Sequence, residues 1–526
     1  MNGKMQADIN RLLKVGFEAL ATGKLSEAGG ACRKVLALDR SCVQGHFLVG
    51  LVAAEMKDYR TAVKAFGSVT NLDVQHAAAW AQLARIYMLL GQPIRAESSL
   101  KKAEEAEPSD CHVFDVMGLV YSQLGDQRSA IGWYQKAVEH GPDFPAFAIN
   151  LSSALIFQGE TAQARGVLVD TIKRFSDVPQ AHWLLSSIEK GTDIGRAAYL
   201  LEMAENISEP AAVPFYAYAA GKQYEDLENW PSAFKAFEIG AKARKAITPF
   251  DEAADEALFR ALEETFTEKW MIDLQEGHDD PAPIFIIGQP RTGTTLLERI
   301  ITSHSEVEAA GELQQFSLAS FRVSGGVEQG RWSPEAIAAY GKADPKAIGT
   351  EYIRASAPMR HGSARFVDKL PGNYLLAPLI AKALPQARIV HLVRNPMDSC
   401  FSSYKQLFAD AYLHSYDQKE MARHYIRYYN LLAQWRRILP GRILDVAYEE
   451  LVDDVEANAR RVINFLGLGW QEACLSFHKQ PAPVATASAA QVREKAHNRS
   501  VNRWKKYSAE LAPMYGELVN AGLVQG

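Results

Sequence analysis

An alanine recurs every 34 residues through the first third of the chain, and this period constrains the fold more than any other feature. A glycine, or once a lysine, stands five residues before each alanine. A fixed period of this length is typical of arrays in which each unit is a pair of helices packed on its neighbours. The alanines are Ala28, Ala62, Ala96, Ala130 and Ala164, and the residues five positions earlier are Gly23, Lys57, Gly91, Gly125 and Gly159.

Each unit is predicted to contain two helices. The segment "AAAWAQLARIYMLLG" carries apolar residues three and four apart and ends at a glycine that can adopt the left-handed conformation. These units resemble the tetratricopeptide repeat. Ala198 is expected to continue the series and Ala233 to mark one further unit, so the array is predicted to cover residues 1–248. Such arrays commonly bind a peptide or protein segment, whereas use in dimerisation or as a rigid support stays open.

The composition is that of an ordinary globular protein and narrows the function. Of 526 residues 48% are hydrophobic, and the net charge of -5 disfavours a general nucleic-acid binder. The five cysteines lack C-x-x-C spacing, so we expect reduced thiols and neither disulfides nor a zinc site. Because no apolar run has the length of a signal peptide or a membrane span, we expect a cytoplasmic protein. The oligomeric state stays open.

After residue 280 the sequence pattern changes. Residues 249–280 are predicted to form one or two amphipathic helices and a proline-rich boundary, "HDDPAPI". Short apolar runs then alternate with helical patterns: "IFIIG", "ARFVD", "ARIVHLV" and "RILDVAY". This order predicts a multidomain chain, in which an all-α solenoid precedes an α/β domain at 281–526 with a parallel sheet covered on both faces.

Four polar residues stand where predicted strands end. They are Arg291, Lys369, Arg394 and Tyr448. Open α/β sheets bind ligands beyond the carboxyl ends of their strands. Since three of the four side chains are cationic, we expect an anionic ligand there.

The first of these strands leads into a loop that resembles a phosphate-binding loop without its lysine. Gly288 and Gly293 have the spacing of G-x-x-x-x-G-K-[ST], but Thr294 replaces the lysine. Backbone N–H groups of the loop can still hold phosphate oxygens at the start of the following helix. No acid is placed to bind magnesium, because a lysine follows Asp368 at once. Both features favour metal-free transfer from a nucleotide with a short phosphate chain over a P-loop kinase or NTPase reaction.

Two motifs make the second half similar to the sulfotransferases that use 3′-phosphoadenosine-5′-phosphosulfate (PAPS). "PRTGTT", Pro290 to Thr295, resembles the family's loop for the 5′-phosphosulfate, and "LVRNPMDSCFSSY" resembles its 3′-phosphate motif. The resemblance covers residues 283–507 and implies PAPS as co-substrate with no metal. It implies that the donor is bound by Gly288, Arg291, Thr292, Gly293, Thr294, Thr295, Arg394 and Ser402, with Tyr448 beside the adenosine.

Within that family the chain most resembles the tyrosylprotein sulfotransferases. Those enzymes place a catalytic Glu 21 residues after the loop arginine, where this chain has Glu312, and a lysine after the next strand, where it has Lys369. The resemblance implies that Glu312 is the general base. It implies that Arg291 and Lys369 offset negative charge on the transferred group. The catalytic histidine of the cytosolic small-molecule enzymes is replaced by Lys369.

The run "ASAAQVREKAHNRSVNRWKKY" is basic, which is typical of a solvated helix face. It also resembles a segment that closes over the cofactor in related enzymes, through S-x-x-Q-V and a [KR]-W pair. The matching residues are Ser488, Gln491, Val492, Arg503 and Trp504, of which Ser488 and Arg503 are implied to bind the cofactor.

The sequence leaves the acceptor open. The resemblance suggests tyrosine in a peptide, while a glycan, a lipid-linked sugar or a small phenol stays possible. A catalytically silent scaffold that binds nucleotide is a second hypothesis, and the presence of Arg291, Glu312, Lys369 and Arg394 speaks against it.

Overall fold

The computed structural model describes residues 3–525 except 176, 274–275, 409, 487 and 490. The chain forms two compact units, Met1–Leu151 and Ser152–Gly526. This division falls inside the helical array. The boundaries proposed after residues 248 and 280 stay predictions.

The first unit is built from antiparallel helix pairs with the predicted period. Ala28, Ala62, Ala96 and Ala130 are fully buried. The turn residues Gly23, Lys57, Gly91 and Gly125 all have positive φ, including Lys57 at 59°. This confirms the left-handed turn within each unit. The helices are α1 (Gly3–Ala21), α2 (Leu25–Leu38), α3 (Val43–Glu55), α4 (Tyr59–Leu72), α5 (Ala77–Leu89), α6 (Pro93–Glu105), α7 (Cys111–Gln123), α8 (Gln127–His140) and, across the division, α9 (Pro145–Gln158).

The second unit begins with further helices, and here the period slips. The prediction for Ala198 is wrong: Ala198 is exposed and Ala197 is buried instead. The physical reason is a shortened helix, α11, followed by a longer connection, in which the N–H of Gly191 donates to Asp226 Oδ2 at 2.6 Å. Ala233 is buried as predicted. The helices are α10 (Thr161–Arg174), α11 (Pro179–Ile188), α12 (Ile194–Asn206), α13 (Val213–Asp226), α14 (Trp230–Ile247), α15 (Glu252–Thr265) and α16 (Glu268–Ile272).

A parallel sheet follows, in the spatial order β2-β3-β1-β4-β5. The four predicted strands are confirmed. The strand β2 was missed because "VEAAG" has no continuous apolar run and lies at an edge. The strands are β1 (Pro283–Gly288), β2 (Val307–Gly311), β3 (Arg365–Lys369), β4 (Arg388–Val393) and β5 (Ile443–Ala447).

Helices cover both faces of this sheet. Ile284 and Ile286 of β1 belong to one buried cluster, on the side of α17 and α25. Phe285 points the other way, and its ring lies 5.9 Å from Phe316 and 5.5 Å from Tyr352, measured between centroids. The helices are α17 (Thr294–Thr302), α18 (Gln315–Val323), α19 (Pro334–Lys342), α20 (Pro345–Ser356), α21 (Ala377–Ala383), α22 (Pro396–Tyr404), α23 (Gln418–Ile438), α24 (Tyr448–Asp453), α25 (Val455–Phe465) and α26 (Ala512–Asn520).

Several residues near the sheet have structural roles. His304 is buried, with Nε2 2.8 Å from the carbonyl oxygen of Gly469. Buried His391 is bonded to Asp445. Burial lowers the pKa of His391 even though that carboxylate opposes the shift. Cys400 lies in the core, and each of the five cysteines is free. Among the helices that the structure describes, none is both long and apolar enough to cross a membrane.

Candidate active site

The loop between β1 and α17 has a backbone that few residues could adopt. Gly288, Arg291 and Gly293 have φ of 150°, 63° and 102°. A Cβ atom on Gly293 would lie 2.5 Å from the ring of Tyr448. An arginine in the left-handed region is uncommon, and such strain is concentrated at functional sites. The sequence therefore places glycine where the loop needs it and holds Arg291 in a fixed orientation.

The first turn of α17 closes this loop. Thr292 Oγ1 donates to the carbonyl oxygen of Gln289 at 2.8 Å, which tightens the turn just before the helix. Thr294 and Thr295 are buried at the helix start. The first N–H groups of a helix lack partners within the helix, and its dipole favours negative charge at this end. The loop can therefore bind one phosphate group.

Arg394 and Ser402, the predicted second anion cradle, lie beside the loop. Its Nη1 donates to the carbonyl oxygen of Arg291 at 2.8 Å and to Ser402 Oγ at 3.1 Å, and its Nη2 donates to the carbonyl oxygen of Ser500 at 2.6 Å. The guanidinium lies over the ring of Tyr448, 4.7 Å from the centroid. Within the described residues, the buried Nε of Arg394 has no hydrogen-bond partner. The structure thus brings Arg394, Ser402 and Tyr448 to the loop.

The basic C-terminal run meets the loop through its first half. Arg291 donates to the hydroxyl of Ser488 and, at 3.1 Å, to Gln491 Oε1. Burial, and then the Arg394 cation, lower the pKa of Arg291 to about 10, so Arg291 stays charged at neutral pH. Arg503 lies elsewhere: its guanidinium is 4.6 Å from the Trp230 ring centroid. The role of Arg503 in donor binding stays a prediction.

The Trp504 side chain also points away from the loop. Its ring is stacked on Tyr515, with centroids 5.8 Å apart. Val492 is buried in the short turn Gln491–Arg493. The expected closing segment is therefore split: Ser488 and Gln491 hold the loop arginine, while the Arg503–Trp504 pair anchors the chain further on.

Glu312 and Lys369 form an ion pair at the ends of β2 and β3. The Lys369 side chain is only 1% exposed, whereas that of Glu312 is 40% exposed. Although burial opposes the charge of Lys369, the carboxylates of Glu312 and Glu298 raise its pKa. The pair combines a buried ammonium, whose charge the neighbouring carboxylates favour, with a carboxylate that is partly exposed to solvent.

Glu298 is a functional candidate that sequence reasoning missed. It lies on α17, is 5% exposed, and belongs to the carboxylate group around Lys369. Burial raises its pKa to about 7, with Lys369 opposing the shift and Glu312 adding to it. The available signal was an acid within the buried helix "TTLLERIIT".

Asp398 is a second residue that sequence reasoning missed. It lies in the first turn of α22 and accepts from the backbone N–H groups of Asn502, at 2.6 Å, and Trp504, at 3.0 Å. These bonds hold the segment whose Ser500 carbonyl accepts from Arg394. An acid at a helix start is visible in sequence, but its partners lie more than 100 residues away, 104 and 106 along the chain.

Comparisons with known families agree with this geometry. The model of the Sulfotransferase family matches residues 283–472, which span the loop, Glu312, Lys369 and Arg394. A Tetratricopeptide repeat model matches residues 77–110. The chain contains a sulfotransferase domain and a tetratricopeptide-repeat segment.

The relatives of this sulfotransferase-domain protein are distant. An uncharacterized protein of Aquifex aeolicus (strain VF5) is 30% identical over 60% of this chain and 43% of its own length. A putative protein-tyrosine sulfotransferase of Caenorhabditis briggsae is 24% identical over 42% of this chain and 80% of its own. A protein-tyrosine sulfotransferase of Drosophila melanogaster is 25% identical over 45% of this chain and 51% of its own. Among solved structures, the sulfotransferase domain from the curacin biosynthetic pathway is 16% identical, with a TM-score of 0.32, over 46% of this chain and 98% of that one.

The residues present fit a nucleotide that carries phosphate on both sides of its ribose. The loop offers helix N–H groups for one phosphate, and Arg394, with a buried unpaired Nε, lies in contact with the same loop for another. Within the described ranges no group of three or more metal-binding side chains could hold a metal ion. Transfer without a metal stays a prediction.

Proposed function

We propose that this chain transfers a sulfuryl group from PAPS to an acceptor hydroxyl, with Glu312 as general base. One observation carries the proposal: Arg394 donates to the Arg291 carbonyl oxygen and to Ser402 at the same time. The two anion cradles therefore lie within reach of a single nucleotide. The sulfotransferase domain at residues 283–472 supports the reaction class.

The chain's own groups position the donor. Thr294, Thr295 and the first N–H groups of α17 hold its 5′-phosphate, and Arg394 with Ser402 holds its 3′-phosphate. When bound, the donor supplies a sulfuryl group that passes from its 5′-phosphate to the acceptor oxygen. As in phosphoryl transfer, catalysis by the protein is mainly positioning and stabilisation of spread negative charge.

The Glu312–Lys369 pair supplies the proton chemistry. Glu312 is exposed enough to meet an acceptor hydroxyl and takes its proton during attack. Lys369 stays charged, and its ammonium then stabilises the negative oxygens of the transferred group. A base placed in this way contributes a rate factor of roughly 10²–10⁴.

The proposed acceptor is a tyrosine of a peptide or protein. Two relatives are named as protein-tyrosine sulfotransferases, and tetratricopeptide arrays commonly present extended segments. A tyrosine in an acidic peptide, a glycan and a simple phenol are the acceptors to compare. We also propose that the helical array binds the peptide segment that carries the acceptor.

A ligand-binding experiment tests the donor. Thermal unfolding of the full chain is followed with adenosine 3′,5′-bisphosphate, ADP and ATP, with and without magnesium. We expect stabilisation by the bisphosphate above that by ADP, because only the bisphosphate fills both cradles. Stabilisation by ATP with magnesium and none by the bisphosphate would overturn the proposal in favour of a kinase or NTPase. Transfer of labelled sulfate to a tyrosine peptide, but not to its phenylalanine analogue, tests the acceptor.

A further inference from the structure

Glu225, in the last predicted repeat, is surrounded by three donor side chains from the second half of the chain. Its two carboxylate oxygens lie 2.7 and 2.8 Å from Lys405 Nζ. One of them also accepts from the Tyr507 hydroxyl at 3.0 Å and from Arg503 Nε at 3.4 Å. The Glu225 side chain is 12% exposed. Burial opposes its charge, but the cations of Lys405 and Arg503 keep its pKa below the ordinary value. Glu225 is therefore an ionised, enclosed carboxylate.

The contact of Glu225 with Lys405 connects it to the helix that carries Ser402. Lys405 directly follows α22 as its C-cap residue, three positions after Ser402. Ser402 accepts from Arg394 Nη1. A shift of Lys405 would therefore move the end of the helix that carries the hydroxyl of the second cradle.

The contacts of Glu225 with Arg503 and Tyr507 connect it to the segment that contains Ser500. Arg503 and Tyr507 are the first and last residues of one short 3₁₀ turn. The chain just before that turn contains Ser500, whose carbonyl oxygen accepts from Arg394 Nη2. Asp398 of α22 ties the same turn to the helix through two backbone N–H groups. Two of the three segments that accept hydrogen bonds from the guanidinium of Arg394, those of Ser402 and Ser500, are thus connected to Glu225.

Aromatic packing fixes α13 and α14 against the same elements. The Tyr507 ring lies 4.6 Å from Phe401 of α22 and 5.8 Å from Trp230 of α14. Tyr218 of α13 donates to the carbonyl oxygen of Tyr404 at 3.0 Å. Glu225 is thus held on a rigid support, as a positioning group requires.

We propose that Glu225 is a positioning residue for recognition of the donor's 3′-phosphate, and that the last helix pair of the array completes the donor site. The inference rests on the proposed function, since it takes the 3′-phosphate as the group bound by Arg394 and Ser402. It assigns to α13 and α14 a role in donor recognition that is separate from any capture of an acceptor peptide.

Two donor-like ligands test this inference in the full chain. Adenosine 3′,5′-bisphosphate requires the second cradle, whereas adenosine 5′-phosphosulfate lacks the 3′-phosphate and uses the loop. Dissociation constants are measured by calorimetry for the wild type and Glu225→Gln. We expect the variant to bind the bisphosphate about tenfold more weakly, because the support of a charged hydrogen-bonding group is lost. Affinity for the phosphosulfate should change by less than about twofold.

Glu228→Gln is the matched control. Glu228 carries the same charge three residues away, is exposed, and should bind both ligands like the wild type. Equal losses for the two ligands in Glu225→Gln would show a merely structural role and overturn the inference. Unchanged or increased affinity for the bisphosphate would also overturn it.

Lys405→Gln keeps the inference testable if Glu225→Gln does not fold. This variant removes the cation that links Glu225 to α22, and we expect the same selective loss of bisphosphate affinity. In a Glu225→Gln/Lys405→Gln double variant the losses should not add, because both changes break one connection. Failure of the proposed function looks different: the wild type itself would then show no preference for the bisphosphate.

Discussion

Two acid–lysine pairs in the second unit differ in what surrounds them. Lys369 has Glu312 as its direct partner and lies within the electrostatic influence of Glu298 and Asp368. Glu225 has Lys405 as its direct partner and two further donors. The first pair therefore has an excess of carboxylates, and the second has an excess of donors.

This difference decides which carboxylate can leave its partner. If Glu312 takes a proton, Lys369 still has other carboxyl groups nearby, so the loss is partly offset. If Glu225 loses its charge, the partly buried cations of Lys405 and Arg503 are left together without it, and burial already lowers the pKa of Lys405. A glutamate–lysine pair therefore suits proton transfer at Glu312–Lys369 and structural anchoring at Glu225–Lys405.

The largest effect is expected on turnover, when the carboxylate of the first pair is removed. In Glu312→Gln, turnover with labelled donor should fall by roughly 10²–10⁴-fold, because the base that accepts the hydroxyl proton is removed. Affinity for adenosine 3′,5′-bisphosphate should stay within about twofold of wild type by calorimetry. Glu306→Gln, at an exposed site just before β2, is the control and should keep full turnover. A fully active Glu312→Gln would show that Glu312 is not the base.

The two pairs should also differ in how much they contribute to the free energy of unfolding. Glu225→Gln should lower the free energy of unfolding by about 2–3 kcal/mol, since it leaves partly buried cations without their charged partner. Glu312→Gln should cost less, because its carboxylate is partly exposed and Lys369 keeps other carboxyl groups nearby. Urea unfolding of the two variants under identical conditions gives both values. Equal losses would contradict the distinction drawn between the pairs.

Much of the array and the sheet could be predicted from local pattern. The alanines up to Ala164 are buried in phase because each unit repeats the same helix crossing. The slip at Ala197 could not be predicted, since it comes from a shortened helix and a bond from Gly191 to α13. The strand β2 was missed for a related reason: at an edge it needs no continuous apolar run.

The site divides in the same way. The positions of Arg291, Lys369, Arg394 and Tyr448 at one edge of the sheet could be predicted, because the carboxyl ends of parallel strands meet there. Glu225 could not, since its bonds to Arg503 and Tyr507 join residues 278 and 282 positions apart. The position of Arg503 beside Glu225 and Trp230 could not be predicted either, because these contacts also join residues far apart in the chain. The cytoplasmic location stays a prediction.

A pH experiment tests the carboxylate excess around Lys369. The folded-state pKa of Glu298, about 7, lies above its ordinary value of 4.5. The stabilising effect of protonated Glu298 is therefore complete below about pH 4.5 and is lost as the pH rises through about 7. Glu298→Gln cannot ionise and escapes this loss.

The stability of Glu298→Gln relative to the wild type should thus increase on going from pH 5 to pH 8. The increase should be on the order of 2–3 kcal/mol. Urea unfolding at each pH measures it, and Glu306→Gln, an exposed site, should show little change. A difference between Glu298→Gln and wild type that does not vary with pH would mean that Glu298 titrates normally.

The smallest expected effect concerns the hydroxyl of the second cradle. Ser402→Ala removes the acceptor of one Arg394 N–H, at 3.1 Å, while the Arg291 and Ser500 carbonyl oxygens still hold the guanidinium. We therefore expect a loss of about 1 kcal/mol, or about fivefold, in affinity for adenosine 3′,5′-bisphosphate. Adenosine 5′-phosphosulfate should bind unchanged in the same calorimetric experiment. A loss in Ser402→Ala as large as that in Glu225→Gln would place the recognition in the hydroxyl itself and remove the need for support from the helical array.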